Sequence, residues 1–224
     1  MDQEREYDFF EAVKAGDEEQ VEHLLDLNPW LLNAQSSTGV SASLLAIYYG
    51  HPDIVNLFDS KGKKFDIFEA SAAGKTERVK EIIRKKPDLV NAYAQDGFQP
   101  LGLASFFGHT DIVKYLLSMG ADVNSASKNE NQVMPLHSAV ARQNLEITRI
   151  LLQHGADVNA VQADDFTPLH AAVQNGQVEM VLLLLDYGAN PGIGAANRLN
   201  AIDMARQRND VVIENILLQK ANNR

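Results

Sequence analysis

Gly74-Lys75-Thr76 reads like the end of a phosphate-binding loop, in which backbone amides and a lysine cradle a nucleotide's phosphates. The full pattern also needs a glycine five residues before Gly74, and Glu69 stands there. The triplet equally suits a turn between two helices. The six histidines show no metal-ligand spacing, and the chain has no cysteine. Thiolate metal sites, disulfides and cysteine nucleophiles are therefore excluded together. No Ser or Thr is set to meet a His and an acid in the geometry that nucleophilic catalysis requires. These residues predict a protein that is not an enzyme and holds neither metal nor cofactor.

The chain has 224 residues, 45% hydrophobic and 22% charged, with a net charge of −10. Residues 1–27 are strongly acidic, while 61–86 form a basic segment read first as a solvated helix surface. An acidic chain with one modest basic stretch is a poor nucleic-acid binder, since such binding rests on neutralising phosphates. No apolar run reaches the roughly 18 residues of a membrane span. The start, Met1 to Glu6, is acidic and lacks the apolar core of a signal peptide. The expectation is a cytoplasmic protein without membrane contact, beginning near Met1 and monomeric.

A period near 33 residues organises the chain. Val133-Met134-Pro135-Leu136-His137-Ser138-Ala139 recurs as Phe166-Thr167-Pro168-Leu169-His170-Ala171-Ala172, and Pro100-Leu101 opens a third copy. The 35-residue step from Pro100 to Pro135 places a two-residue insertion near Lys128–Gln132. An alanine returns in phase at Ala12, Ala46, Ala70, Ala104, Ala139, Ala172 and Ala205. Four residues later stand Gly16, Gly50, Gly74, Gly108, Gln143, Gly176 and Asn209. Proline suits the first helical position, and glycine or asparagine the left-handed residue that ends a helix. A second helix carries an apolar stripe, as in Val113, Leu116 and Leu117. In the second copy the apolar pair becomes Phe58-Asp59. Such units cannot bury their stripes alone and must stack.

These residues resemble ankyrin repeats. Thr167-Pro168-Leu169-His170 matches the family's turn in full, and Gly120-Ala121-Asp122-Val123-Asn124 its loop. The resemblance implies an all-α solenoid of stacked helix-turn-helix units joined by hairpin loops. It makes 1–224 one domain, with seven repeats starting near 8, 42, 66, 100, 135, 168 and 201 and degenerate at the ends. Pro135, His137, Thr167, Pro168 and His170 take structural roles, the imidazoles bonding backbone between repeats. Two loops are replaced, by Asn28-Pro29-Trp30-Leu31-Leu32-Asn33 and Lys86-Pro87-Asp88-Leu89-Val90-Asn91. Only 24 residues separate Ala42 from Asp66, so the second unit lacks a full loop and Phe58–Phe65 must connect tightly.

The family's contact positions, before the inter-helix glycine and in the loops, fall here on Tyr48, Tyr49, Lys61, Lys64, Tyr93, Phe98, Phe106, Phe107, Arg142 and Phe166. The aromatics among them are typical interface anchors. The alternative for Tyr49 and Phe107 is that they fill space left by the short second unit. The reading is a non-catalytic module binding a partner protein of unknown identity through a concave face. A small-ligand-binding regulatory protein, or a secreted effector using the same groove, is the alternative.

Overall fold

From Ala42 onward, each first helix starts where the chain offers a cap or a proline. The computed structural model describes residues 2–196 and 198–222, and its contacts divide it into two units. The first unit holds residues up to Leu89 together with Ala94–Asp96, and the second holds Val90–Tyr93 and everything from Gly97 onward.

In the first unit, α1 (Asp2–Ala15) and α2 (Glu18–Leu27) are followed by a one-turn 3-10 helix, Pro29–Asn33. Then come α3 (Ala42–Tyr48), α4 (Pro52–Ser60), α5 (Ile67–Ala72) and α6 (Thr76–Lys85), with a further 3-10 turn at Pro87–Asn91. The second unit contains α7 (Pro100–Phe107), α8 (Thr110–Ser118), α9 (Pro135–Ala141) and α10 (Leu145–Gln153). It ends with α11 (Pro168–Gln174), α12 (Val178–Asp186), α13 (Ala201–Gln207) and α14 (Val211–Asn222). The described residues form helices and isolated bridges only, so the all-α class is what the fold shows. α1 starts earlier than the position near 8 that the repeat phase suggests.

Stacking runs in two layers within each unit. First helices pack on first helices (α1 on α3, α3 on α5; α7 on α9, α9 on α11, α11 on α13). Second helices do the same (α2 on α4; α8 on α10, α10 on α12, α12 on α14). The recurring alanines are all buried, Ala46, Ala70, Ala104, Ala139, Ala172 and Ala205 completely. A methyl there lets helix backbones approach closely. The positions four residues on all take the left-handed conformation, including the non-glycines Gln143 (φ 58°) and Asn209 (φ 56°).

The stripes fill the core. Val79 and Ile83 in the first unit, and Ile112, Leu116, Ile147, Leu151, Val181, Leu184, Ile213 and Leu217 in the second, are fully buried. Each such side chain is worth roughly 1.5–3 kcal/mol of burial. The irregular Phe58 keeps its place: its ring is wholly buried, 6.3 Å from Phe9, while Asp59 stays outside.

The short second repeat turns as tightly as its spacing demands. After α4, Gly62 (φ 84°) reverses the chain and the Lys63 N–H donates to the Phe58 carbonyl at 3.0 Å. Asp66 then caps α5, accepting the N–H groups of Phe68 and Glu69, while Glu69 returns to the Asp66 N–H at 2.8 Å. This reciprocal box satisfies two otherwise orphaned groups.

Candidate protein-interaction surfaces

The triplet Gly74-Lys75-Thr76 forms the turn between α5 and α6. Gly74 is left-handed (φ 73°), the Lys75 N–H donates to the Ala70 carbonyl, and Lys75 Nζ pairs with Asp59 at 2.6 Å. No phosphate cradle is formed there.

The turn histidines are built into the stack. His170 Nδ1 accepts the Thr167 N–H at 3.0 Å, and its Nε2–H donates to the Ile193 carbonyl at 3.0 Å. His137 Nε2–H donates to the Phe166 carbonyl at 3.2 Å. In both cases the imidazole bonds backbone of the loop that leads into the next repeat. Burial pushes His137 down to about 4 and lowers His170 too, so both are neutral near pH 7. Pro135 and Pro168 open α9 and α11, and the Thr167 hydroxyl caps α11.

Of the contact residues expected in the first unit, Tyr48 and Tyr49 close α3 with 36% and 54% of their surface exposed. The Tyr48 hydroxyl donates to the Asp96 carboxylate at 2.5 Å. Burial first, and then the carboxylate, raise its pKa, so it remains a phenol donor. Lys61 lies against α2, where its Nζ reaches Asp26 at 2.6 Å and Glu22 at 3.0 Å. Lys64 is exposed on the connection into α5.

In the second unit Phe106 is 39% exposed and meets Phe107 edge-on, with centroids 5.1 Å apart at 79°. The Arg142 guanidinium sits 5.2 Å above the Phe106 ring. Tyr93 is half-buried. Its hydroxyl bonds Ser125 at 2.7 Å, and Lys128 Nζ lies 4.0 Å over its ring. Phe98 and Phe107 are half-buried. Phe166 is half-buried against the His170 ring, 5.3 Å away. The structure thus joins Phe106, Phe107 and Arg142 in one group.

Three pairings carry no local signal in the sequence. Asp96, in the loop before Phe98, meets Tyr48 across 48 residues. Lys128 lies in the insertion, which signalled an irregular hairpin without saying where its side chain goes. There the Lys128 N–H donates to the Gly97 carbonyl at 2.8 Å, and Asn129 accepts from the Ser127 hydroxyl and the Asn131 N–H. Glu69, which stands where a phosphate loop needs glycine, is a buried acid. It is 2% exposed, accepts the Ser43 hydroxyl and pairs with Lys63 Nζ at 3.1 Å.

Two-layer stacks of short helix pairs, pinned by Pro-Leu-His turns and presenting exposed aromatics at the inter-helix turns, define a repeat protein of the interaction type. A family profile described as ankyrin repeats, in three copies, matches residues 9–127 and 125–195, and the chain belongs to that family. It is similar to Ankyrin repeat and SAM domain-containing protein 6 of Rattus norvegicus, 34% identical over 109 residues, covering 49% of this chain and 12% of the relative. It is also similar to DNA-binding protein RFXANK of Homo sapiens (38% over 72 residues, 32% of this chain and 28% of the relative). A third match is Palmitoyltransferase ZDHHC13 of Homo sapiens, 32% identical over 102 residues, 46% of this chain and 16% of the relative. The chain therefore spans a small part of the length of these curated relatives. Ankyrin repeats are in general non-catalytic protein-interaction modules, also where they accompany an enzyme domain. No described helix is long and apolar enough to cross a membrane.

Proposed function

We propose that the chain is a non-catalytic module that binds a partner protein through the face formed by its first helices and loops. The observation that carries this is the Phe106–Arg142 pair: an exposed aromatic ring at an inter-helix turn with a guanidinium over it. Aromatic and arginine side chains are the usual energetic anchors of interfaces. Tyr48 and Tyr49 offer the same kind of surface in the first unit. One relative is a DNA-binding protein, yet a net charge of −10 disfavours contact with phosphates here and favours a protein partner.

The test is affinity capture of partners on the wild type and on Tyr48→Ala, Phe106→Ala and the double variant, with a thermal melt of each. Partners lost from the variants while the melting temperature holds is the expected result. Variants that unfold assign these side chains to the core and end the proposal. A metabolite that strongly stabilises the protein in a thermal-shift screen would replace it with the ligand-binding alternative.

A further inference from the structure

The missing loop of the second repeat leaves a cleft. Where a full repeat would spend residues on a projecting loop, the chain passes directly from Gly62 through Phe65 into α5. Between this connection, α6 and the following 3-10 turn lies a groove of about 760 Å³. Its apolar surface comes from Phe68 and Leu89, both half-buried, with Ile82 beneath. That volume lies in the range of binding clefts.

Its rim is basic. Six cations line it (Lys63, Lys64, Lys75, Arg78, Lys85, Lys86) against three acids (Asp59, Asp66, Glu81), in a chain whose net charge is −10. The acids are already engaged. Asp59 holds Lys75, Glu81 holds both Arg78 and Lys85, and Asp66 accepts two backbone N–H groups at the start of α5. Lys63 is withdrawn inward onto Glu69. Lys64 and Lys86 are exposed and have no salt bridge among the described residues. The wall is held in place, since Arg78 Nε donates to the Phe65 carbonyl at 2.9 Å.

We propose that this groove docks an acidic segment of a partner protein that carries apolar side chains between its carboxylates. The surplus cations match the carboxylates, and Phe68 and Leu89 match the apolar anchors. A nucleic-acid backbone carries a continuous line of phosphates, which needs more cations than the two exposed lysines without a salt bridge supply here, and a duplex presents no apolar side chain to that floor. The site lies on the connection and the second helix of its unit, so it does not depend on the Tyr48 and Phe106 surfaces.

The test uses the full chain and a fluorescein-labelled synthetic dodecapeptide of glutamates and aspartates interspersed with Leu and Phe, followed by anisotropy and by amide chemical shifts. Saturable binding is expected, with shifts concentrated in residues 64–68 and 78–89. Lys64→Glu with Lys86→Glu should weaken it about tenfold, with most binding lost at 0.5 M salt. An all-Glu peptide without apolar residues should bind more weakly than the mixed one. A mixed peptide that binds the charge-reversed protein equally well, or shifts other residues, overturns the proposal. So does single-stranded DNA or an anionic vesicle that binds the groove when the peptide does not, or a dimer of the chain that the charge reversal dissolves. Phe68→Ser at unchanged charge separates the apolar contribution: unchanged peptide affinity in a folded variant also counts against the site.

Discussion

Lys63 and Glu69 face each other at 3.1 Å with side chains only 7% and 3% exposed, an ion pair closed off from water at the turn between α4 and α5. Burial alone would raise the Glu69 pKa. Hydrogen bonds from Ser41 and Ser43, the Lys63 charge and the Asp66 N–H outweigh it and bring it below the ordinary carboxylate value. The pair stands where the second repeat lost its loop, and it ties the connection to α3 through Ser43.

Removing one partner of this pair should cost far more than removing both. Glu69→Leu leaves a buried ammonium and should destabilise by about 3–5 kcal/mol, while Lys63→Met with Glu69→Leu should recover most of that loss. Urea unfolding of the two single variants and the double variant measures the coupling. A double-variant cost equal to the sum of the two single-variant costs would show that the pair is not coupled.

The neutral imidazoles predict acid sensitivity. His137, pushed down to about 4, binds its proton in the unfolded chain near pH 6.5 and in the folded protein only at much lower pH. The unfolded state therefore holds more protons between those values, and stability falls as pH drops from about 6.5 towards 4. His170 adds to the same direction, because a proton on Nδ1 would oppose the Thr167 N–H that it now accepts. Melting temperature against pH should flatten in this window for His137→Gln if that variant folds. An identical slope in the variant would remove His137 from the account.

Gly97 should tolerate no side chain. Its φ is 84°, and a Cβ would come within 2.7 Å of the Lys128 backbone carbonyl carbon, where the inserted hairpin bonds back. Gly97→Ala should cost about 2–3 kcal/mol, from left-handed strain plus the displaced hairpin. Conversely, Gln143→Gly relieves a left-handed glutamine (φ 58°) and should stabilise by roughly 0.5–1 kcal/mol. Chemical denaturation midpoints of both variants decide this pair of signs.

Asn124 bridges two successive loops, donating from Nδ2 to the Gly155 carbonyl at 3.0 Å and accepting the Asp157 N–H at 2.8 Å. Asn91 makes the same two bonds to Gly120 and Asp122, and Asn159 to Gly188 and Asn190. Asn124→Ala should cost about 1–2 kcal/mol and speed amide exchange at Asp157. Unchanged exchange at Asp157 would show the bridge to be dispensable.

Much of the architecture was legible from residue order. The Pro-Leu-His turns, the returning alanine and the left-handed position after each first helix are local rules. Caps, helix propensity and left-handed glycine act over a few residues, so their period is written in the chain. Even the departures could be read, as a 24-residue step and a two-residue insertion. Stacking of the layers followed, because a single unit has no other way to bury Leu116 or Leu184.

Only the tertiary structure decided what the irregular places do. Which loop carboxylate meets Tyr48, 48 residues away, depends on how the chain returns beside α3. Whether Lys61, Lys63 or Lys64 points inward depends on a turn whose missing loop leaves both a buried ion pair and an open basic cleft. Pairings between distant residues are set by packing, and packing is a property of the whole stack that no local pattern encodes.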